Sequence, residues 1–332
     1  MSIIRVNEAV KVFRQYRRFP GVIGSLRSLI TREYTEHTAV NGISFEIREG
    51  ESVGYLGTNG AGKSTMIKMM TGILVPTSGV LQVMGNTPHT SRKKNAQEIG
   101  VVFGQRSQLW WDLPVEDSFD LHKHIYKIEN KRFHDNLNYC VEILGIQEFI
   151  HKPVRQLSLG QRMRVEIAMA LLHEPRILFL DEPTIGLDLF AKDQIRNFLK
   201  KVNSERKVTI ILTTHDLKDI EEICPRMIIV NKGDLVYDGK VSDLRTQIGN
   251  ERKITIDFRH DIGNIDFPGT ILVKDQGLRK TFVLERGKES AFEWVSKIAE
   301  KYPVEDVSLE DSDIESVIRT LYENLETTSI NE

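Results

Sequence analysis

The chain of 332 residues carries 45 Lys+Arg against 47 Asp+Glu, a formal net charge of −2, so no overall field draws it to nucleic acid or anionic lipid. Hydrophobic residues at 40% and charged residues at 28% exclude an intrinsically disordered chain and supply a core for one large domain or two. Two cysteines, Cys140 and Cys224, exclude a disulfide framework or a cysteine zinc site and point to a reducing compartment. No apolar run approaches the roughly 20 residues that cross a bilayer as a helix. The opening Met1-Ser2-Ile3-Ile4-Arg5 lacks the basic-then-apolar pattern of a secretory leader. The expectation is a cytosolic chain that does not itself span a membrane.

In chain order, a first strand ends near Phe13, and residues 14–36 follow as an Arg-rich stretch with five Arg against two Glu, a net of +3. Within it Leu26, Leu29 and Ile30 fall on one helical face, with Arg27 and Arg32 elsewhere. Such a piece either lies against lipid headgroups or a membrane partner, or packs on its own domain. Strands are predicted at 43–47, 52–56, 100–103, 177–180, 208–212 and 227–230, and helices at 63–71, 115–128, 135–144, 161–173 and 191–203. The last three of those strands are apolar but for Thr209, as strands covered on both faces are. The alternation argues for a layered α/β core with a largely parallel sheet. Residues 106–157 offer no comparable strand and read as an inserted helical subdomain, which continues through the helix to 173.

The pattern changes near Gly249-Asn250. Strands at 253–258, 270–273 and 280–284, a helix at 290–301 and a strand at 304–308 precede a last helix. That helix carries Ile314, Val317, Ile318, Leu321, Tyr322 and Leu325 on one face. Residues 1–248 thus form the main domain and 249–332 a small α+β accessory domain, with a polar tail from Glu326 expected to fray.

Between the strand 52–56 and the helix 63–71 runs Gly57-Thr58-Asn59-Gly60-Ala61-Gly62-Lys63-Ser64-Thr65, which matches G-x-x-x-x-G-K-[ST]. The glycines let backbone wrap phosphate oxygens, the amides of Gly60 to Thr65 can point inward, and the helix adds its positive N-terminal end. Gly57, Asn59, Gly60, Gly62, Lys63, Ser64 and Thr65 are therefore candidates for binding a nucleoside triphosphate. Lys63 would reach the β and γ phosphates and Ser64 would ligate Mg2+. The apolar strand 177–180 delivers Asp181-Glu182 at its C-terminal end, where α/β sheets bind ligands. Asp181 is the candidate for the Mg2+ shell, and Glu182 for polarising the attacking water.

Leu157-Ser158-Leu159-Gly160-Gln161-Arg162 opens the helix before that strand. Ile185-Gly186-Leu187-Asp188 and Thr213-Thr214-His215-Asp216 lie downstream, and Val102-Phe103-Gly104-Gln105 closes an upstream strand. This ordered set resembles the nucleotide-binding subunit of ATP-binding cassette transporters over roughly residues 2–245. The resemblance implies a P-loop ATPase cassette with a mostly parallel core sheet, an antiparallel β part and the helical subdomain. It also implies a head-to-tail homodimer sandwiching two ATP molecules, with Ser158, Gly160 and Gln161 of one copy facing the phosphate loop of the other. By the same resemblance, Gln105 would sense Mg2+ and the water, His215 would contact the γ phosphate, and Asp188 would cross the interface. The candidate for the aromatic that stacks on adenine in this family is Phe13; the alternative is a core ring ending the first strand, and Tyr16 or Tyr34 could substitute. Leu159 departs from the commonest signature, which has Gly there.

The Arg-rich stretch, Gln105-Arg106-Ser107-Gln108-Leu109-Trp110-Trp111 and the final helix together look like the exporter branch that includes drug- and antibiotic-efflux ATPases. The tryptophans are either anchors for a permease or packed inside the subdomain. The resemblance implies an ATPase on the cytoplasmic face of the cell membrane, beneath separate permease subunits, with no nucleic-acid partner. ATPases exporting lipid-linked polysaccharides share such an N-terminal insert, but residues 251–325 do not suggest their β-sandwich. A soluble cassette protein of translation or repair is the remaining alternative.

Overall fold

The computed structural model describes residues 1–16, 34–104, 107–247, 251–263, 267, 270–285, 291–311 and 314–330. Its chain divides into two units, Met1–Gly239 and Lys240–Glu332. The first begins with two long strands, β1 (Ser2–Tyr16) and β2 (Tyr34–Arg48), followed by β3 (Ser52–Gly57) and α1 (Lys63–Met70). Next come β4 (Ser78–Val83), α2 (Arg92–Glu98) and β5 (Ile99–Phe103). Then follow α3 (Val115–Tyr126), α4 (Asn130–Leu144), a 3-10 turn at Val154–Gln156 and α5 (Leu159–Leu171). The unit closes with β6 (Ile177–Asp181), α6 (Leu189–Arg206), β7 (Thr209–Thr213), α7 (Leu217–Ile223), β8 (Arg226–Asn231) and β9 (Asp234–Lys240).

The core sheet has six strands in the order β5-β6-β7-β3-β8-β9, and β3, β5, β6, β7 and β8 pair in parallel. The apolar runs account for this: β7 is buried throughout, and β6 and β8 along all but their ends, so both faces are covered. The parallel register brings Phe103 level with Asp181, and Asp181 level with Thr213. A second, antiparallel sheet of order β2-β1-β4 sends Ile4, Val6, Ile43, Phe45, Leu81 and Val83 into one core with Met66, Ile67 and Met70 of α1. The phosphate-loop helix is thus clamped between the two sheets.

Two strands escape the sequence reading. β4 buries only Leu81 and Val83, and β9 is a largely exposed edge strand. β9 is reached by a two-residue turn, Lys232-Gly233, with φ of 47° and 90°, as tight hairpins require. The Arg-rich stretch is narrower than the sequence suggests, because Arg14↔Glu36, Gln15↔Thr35 and Tyr16↔Tyr34 pair as ladder rungs of β1 and β2. The face of Leu26, Leu29 and Ile30 lies outside the described residues.

Helix boundaries move, the end of α3 and the start of α5 for capping reasons. Lys127 in the left-handed region ends α3 early, while α4 starts five residues ahead of expectation, at Asn130. Ser158 caps α5, which therefore begins at Leu159 rather than at Gln161.

The second unit contains α8 (Val241–Gln247), β10 (Glu251–Phe258), β11 (Thr270–Gln276), β12 (Arg279–Glu285), α9 (Ala291–Lys301), β13 (Val304–Asp311) and α10 (Ile314–Ile330). Its antiparallel sheet runs β11-β12-β10-β13. Trp294 and Ile298 of α9 pack on Ile254, Ile256, Phe258, Phe282 and Leu284, with Trp294 and Phe282 edge-on at 5.4 Å between centroids. The tail expected to fray from Glu326 is instead helical through Ile330, since no Gly or Pro interrupts α10.

Candidate functional site

The loop after β3 is fixed by backbone crowding. A Cβ on Gly57 would stand 2.5 Å from the Val230 carbonyl oxygen, and one on Gly62, at φ +96°, 2.1 Å from that of Ala39. Both positions admit only glycine. Gly60, at φ +82°, has no protein atom within 4 Å of its would-be Cβ, so that side of the loop is open to a ligand. Of the amides expected to face a phosphate, Ala61 N–H is already donated to Thr58 O at 3.1 Å. Asn59 is exposed on the loop, and Thr65 is half-buried in the first turn of α1.

Lys63, the first residue of α1, is buried, and its Nζ reaches across the loop to Gly57 O at 2.8 Å and Thr58 O at 3.1 Å. Burial pulls its ammonium below the usual range, while the carboxylates of Glu182 and Asp181 pull the other way. Ser64 Oγ donates to Asp181 Oδ2 at 3.2 Å, and Thr213 Oγ1 donates to Asp181 Oδ1 at 2.5 Å. Asp181 is thus aimed at the phosphate loop from both sides.

Glu182 follows in the left-handed region at φ +56°, a conformation uncommon outside glycine. Its carboxylate meets His215 Nε2 at 2.8 Å. Gly104 packs against the same strand end, where a Cβ would lie 2.5 Å from Glu182 O. Gln105, the next residue, lies outside the described residues. Ser64, Lys68, Phe103, Gly104, Asp181 and Glu182 line a cleft of about 330 Å³.

A hydroxyl and a carboxylate beside a phosphate-shaped loop are the hard oxygen donors that suit Mg2+, which is commonly held by one or two carboxylates plus substrate phosphates. Among the described residues no group of three or more His, Cys, Asp or Glu forms a metal cage, so Ser64 and Asp181 fit the ion as part of a nucleotide complex.

Ser158 and Gln161 make a reciprocal capping box: Ser158 N–H donates to Gln161 Oε1 at 2.9 Å, and Gln161 N–H to Ser158 Oγ at 3.2 Å. The box leaves Ser158 exposed at a helix N-terminus. Gly160 is packed close to Ala191, where a Cβ would come within 3.1 Å, and Leu159 leans over Gly186. Asp188 caps α6 of its own chain by accepting from Ala191 N at 2.9 Å. Phe13 is 37% exposed, which excludes the core alternative, and Lys11 Nζ sits 5.2 Å from its ring centroid. Trp110 and Trp111 are 55% and 53% exposed rather than packed inside the helical subdomain.

Five residues support the site without standing out in the sequence as chemistry-bearing. Thr213 holds Asp181, and buried Asp219 gathers the hydroxyls of Thr184 and Thr214. Glu166, buried in α5, accepts from Ser107 Oγ and, at 3.1 Å, from Gln108 N. Burial raises the Glu166 pKa against those donors. Of these, only Thr213 and Thr214, directly before His215, lie in a segment that the sequence singles out.

Residues 40–185 match the family described as ABC transporter. The Probable multidrug ABC transporter ATP-binding protein YbhF of Escherichia coli K12 is 35% identical over 226 residues, 68% of this chain and 38% of that protein. The chain therefore spans about two fifths of that relative's length. The linearmycin resistance ATP-binding protein LnrL of Bacillus subtilis is 32% identical over 68% of this chain and 72% of its own. The methionine import ATP-binding protein MetN 2 of Bacillus cereus is 32% identical over 86% of this chain and 85% of its own. Among solved structures, cbiO1 of Clostridium perfringens, part of an ABC transporter complex, aligns with TM-score 0.61 at 29% identity, covering 74% of this chain and 91% of that one. A dimeric ATP-binding cassette in a post-hydrolysis state with ADP and Pi aligns with TM-score 0.59 at 26% identity, covering 71% and 98%.

Proposed function

Because the chain belongs to the ABC transporter ATP-binding family, an ATPase cassette, we propose that it is the nucleotide-binding subunit of an ABC exporter and hydrolyses ATP to drive separate permeases. The observation that carries the hydrolytic reading is the convergence of Ser64, Asp181, Glu182 and His215 at one end of the parallel sheet. Gly57, Asn59, Gly60, Gly62 and Thr65 cradle the phosphates through the loop backbone and the N-terminus of α1. Lys63 Nζ exchanges its carbonyl partners for phosphate oxygens, and Phe13 offers an exposed ring to adenine.

Ser64, Asp181 and Gln105 would hold Mg2+ with the nucleotide, and the ion would supply charge neutralisation to the phosphates. The Glu182 carboxylate accepts a proton from the attacking water, and His215 Nε2–H donates to the γ phosphate. Ser158, Gly160 and Gln161 present a helix N-terminus to the phosphates held by a second copy, and Asp188 lies on the same exposed face. In this reading ATP lies at the contact of a head-to-tail homodimer, ATP binding closes the dimer and hydrolysis opens it. Trp110 and Trp111 dock the permease, at the cytoplasmic face of the membrane.

The names of the drug- and antibiotic-resistance relatives support export of a drug-like or amphipathic compound. The longer match to the methionine importer is the observation favouring import as a second reading. Glu182→Gln tests the chemistry: phosphate release should fall on the order of 10²–10⁴-fold with nucleotide binding retained. A variant that hydrolyses at the wild-type rate would remove Glu182 as the base. Purifying the tagged chain from native membranes in mild detergent tests the transporter reading, which fails if no polytopic permease accompanies it. Uptake against extrusion in vesicles with that permease then decides direction.

A further inference from the structure

Beneath the catalytic pair, Asp219 of α7 is 0% exposed and uses both carboxylate oxygens. Its Oδ1 accepts from Arg196 Nε of α6 at 2.6 Å. Its Oδ2 accepts from Thr184 Oγ1 and, at 3.2 Å, from Thr214 Oγ1. Thr184 stands two residues after Glu182, and Thr214 stands immediately before His215. One buried carboxylate therefore ties together the two segments that present those side chains.

We propose that Asp219 is a positioning residue that sets the Glu182–His215 geometry through the Thr184 and Thr214 hydroxyls. The inference rests on the reading of Glu182 and His215 as reacting groups. Three features of the site favour it. Glu182 sits at φ +56°, a backbone state that a β-carbon disfavours and that neighbouring structure must hold in place. The turn beyond it has a long backbone bond nearest Glu182, Ile185 N to Glu182 O at 3.4 Å. Thr184 is buried, so its hydroxyl has no water to substitute for Asp219.

The charge pairing of Asp219 is supplied independently of the threonines. Arg196 is 1% exposed and also contacts Asp193 at 3.0 Å and Asp216 at 3.3 Å. Asp216 in turn is held by Lys192 at 2.6 Å. The hydroxyls can thus be removed without leaving a buried charge alone, which separates positioning from stability.

The test is a set of variants of the full chain assayed with Mg2+·ATP. Thr184→Val keeps the side-chain shape and removes the hydroxyl; kcat should fall about tenfold or more, as small misplacements of reacting groups do. ATP affinity should stay within about twofold, because the phosphate loop is untouched. Thr184→Ser, which restores the donor, should recover most of the lost kcat. Thr214→Val is the second variant, to be read if Thr184→Val does not fold. Wild-type kcat in the Val variant, or a loss that Ser does not rescue, overturns the proposal. Glu182→Gln runs alongside: if it is inactive while Thr184→Val is wild type, only the role of Asp219 fails. If Glu182→Gln is itself fully active, the underlying reading fails instead.

Discussion

His215 Nε2 lies 2.8 Å from Glu182 Oε1, and the two residues reach that contact from the ends of neighbouring parallel strands. A carboxylate accepts only, so the contact places a proton on Nε2, and that N–H must turn from Glu182 to donate to a γ phosphate. His215 is thereby held as a donor beside the base. His215→Ala should lower single-turnover hydrolysis by about 10²–10³-fold, the usual cost of one preorganised donor. Its side chain is 50% exposed, so the melting temperature should barely move. Unchanged hydrolysis would show that the histidine does not act on the phosphate.

Gly60 and Gly62 should respond differently to the same added methyl group. Gly62→Ala drives a Cβ to 2.1 Å from the Ala39 carbonyl oxygen, backbone against backbone, and should cost several kcal/mol of stability. Gly60→Ala meets no protein atom within 4 Å and should cost only about 1 kcal/mol for the left-handed backbone. Its loss should appear in nucleotide affinity, because the open space beside Gly60 is where phosphate belongs. Denaturant titration and nucleotide titration of both variants separate the two effects; equal stabilities would contradict the crowding at Gly62.

These outcomes also mark what the sequence makes legible. Gly57 to Thr65 and Asp181-Glu182 stand out because a loop cradle and a strand-end carboxylate pair are each contiguous in sequence. The helical subdomain is legible because residues 106–157 lack an apolar β-branched run. Asp219 and Arg196 are not, because either one alone reads as a polar residue on a solvated helix face. Only the packing of α6 on α7, with Thr184 35 residues from its partner, gives them a common role. Glu166 is hidden for the same reason, its donor Ser107 being 59 residues away. β9 is not legible because an exposed edge strand buries too little to show a period.

A buried imidazole pair makes the first unit acid-sensitive. His122 Nε2 lies 3.2 Å from His173 Nδ1, His173 Nε2 lies 3.0 Å from Ile99 O, and Tyr126 stacks on both rings. Burial pulls His122 down to about 3, with His173 adding to it, and burial pulls His173 down to about 4. Both fold as neutral rings, while in the unfolded chain each takes up a proton near pH 6.5. The stability that they support is therefore full above pH 6.5 and is lost as pH falls toward 4 and then 3. Between pH 7 and 5 the pair should cost about 2–4 kcal/mol, at roughly 1.4 kcal/mol per unit per group. Replacing both rings, His122→Phe with His173→Gln, should flatten that part of the curve in denaturant melts; an unchanged slope would remove the pair as its cause.

Trp110 and Trp111 show large apolar rings on the helical subdomain, and Leu113, at 40% exposed, widens the patch. Rings this exposed are not core, and an apolar patch of this kind suits the interface anchor proposed above. The backbone that presents them is held independently of the rings, by Trp110 N to Ser118 Oγ at 3.2 Å and Arg155 N to Trp111 O at 3.0 Å. Truncating both rings to alanine should therefore change stability by no more than about 0.5 kcal/mol and leave ATP hydrolysis by the isolated chain intact. Recovery of the double variant with membranes should fall by tenfold or more, since losing one buried aromatic anchor costs about 2 kcal/mol or more. Comparing membrane-bound and soluble fractions in native cells measures this directly. Wild-type membrane recovery would move the permease contact elsewhere on the chain, whereas a fall in melting temperature would return the rings to the core.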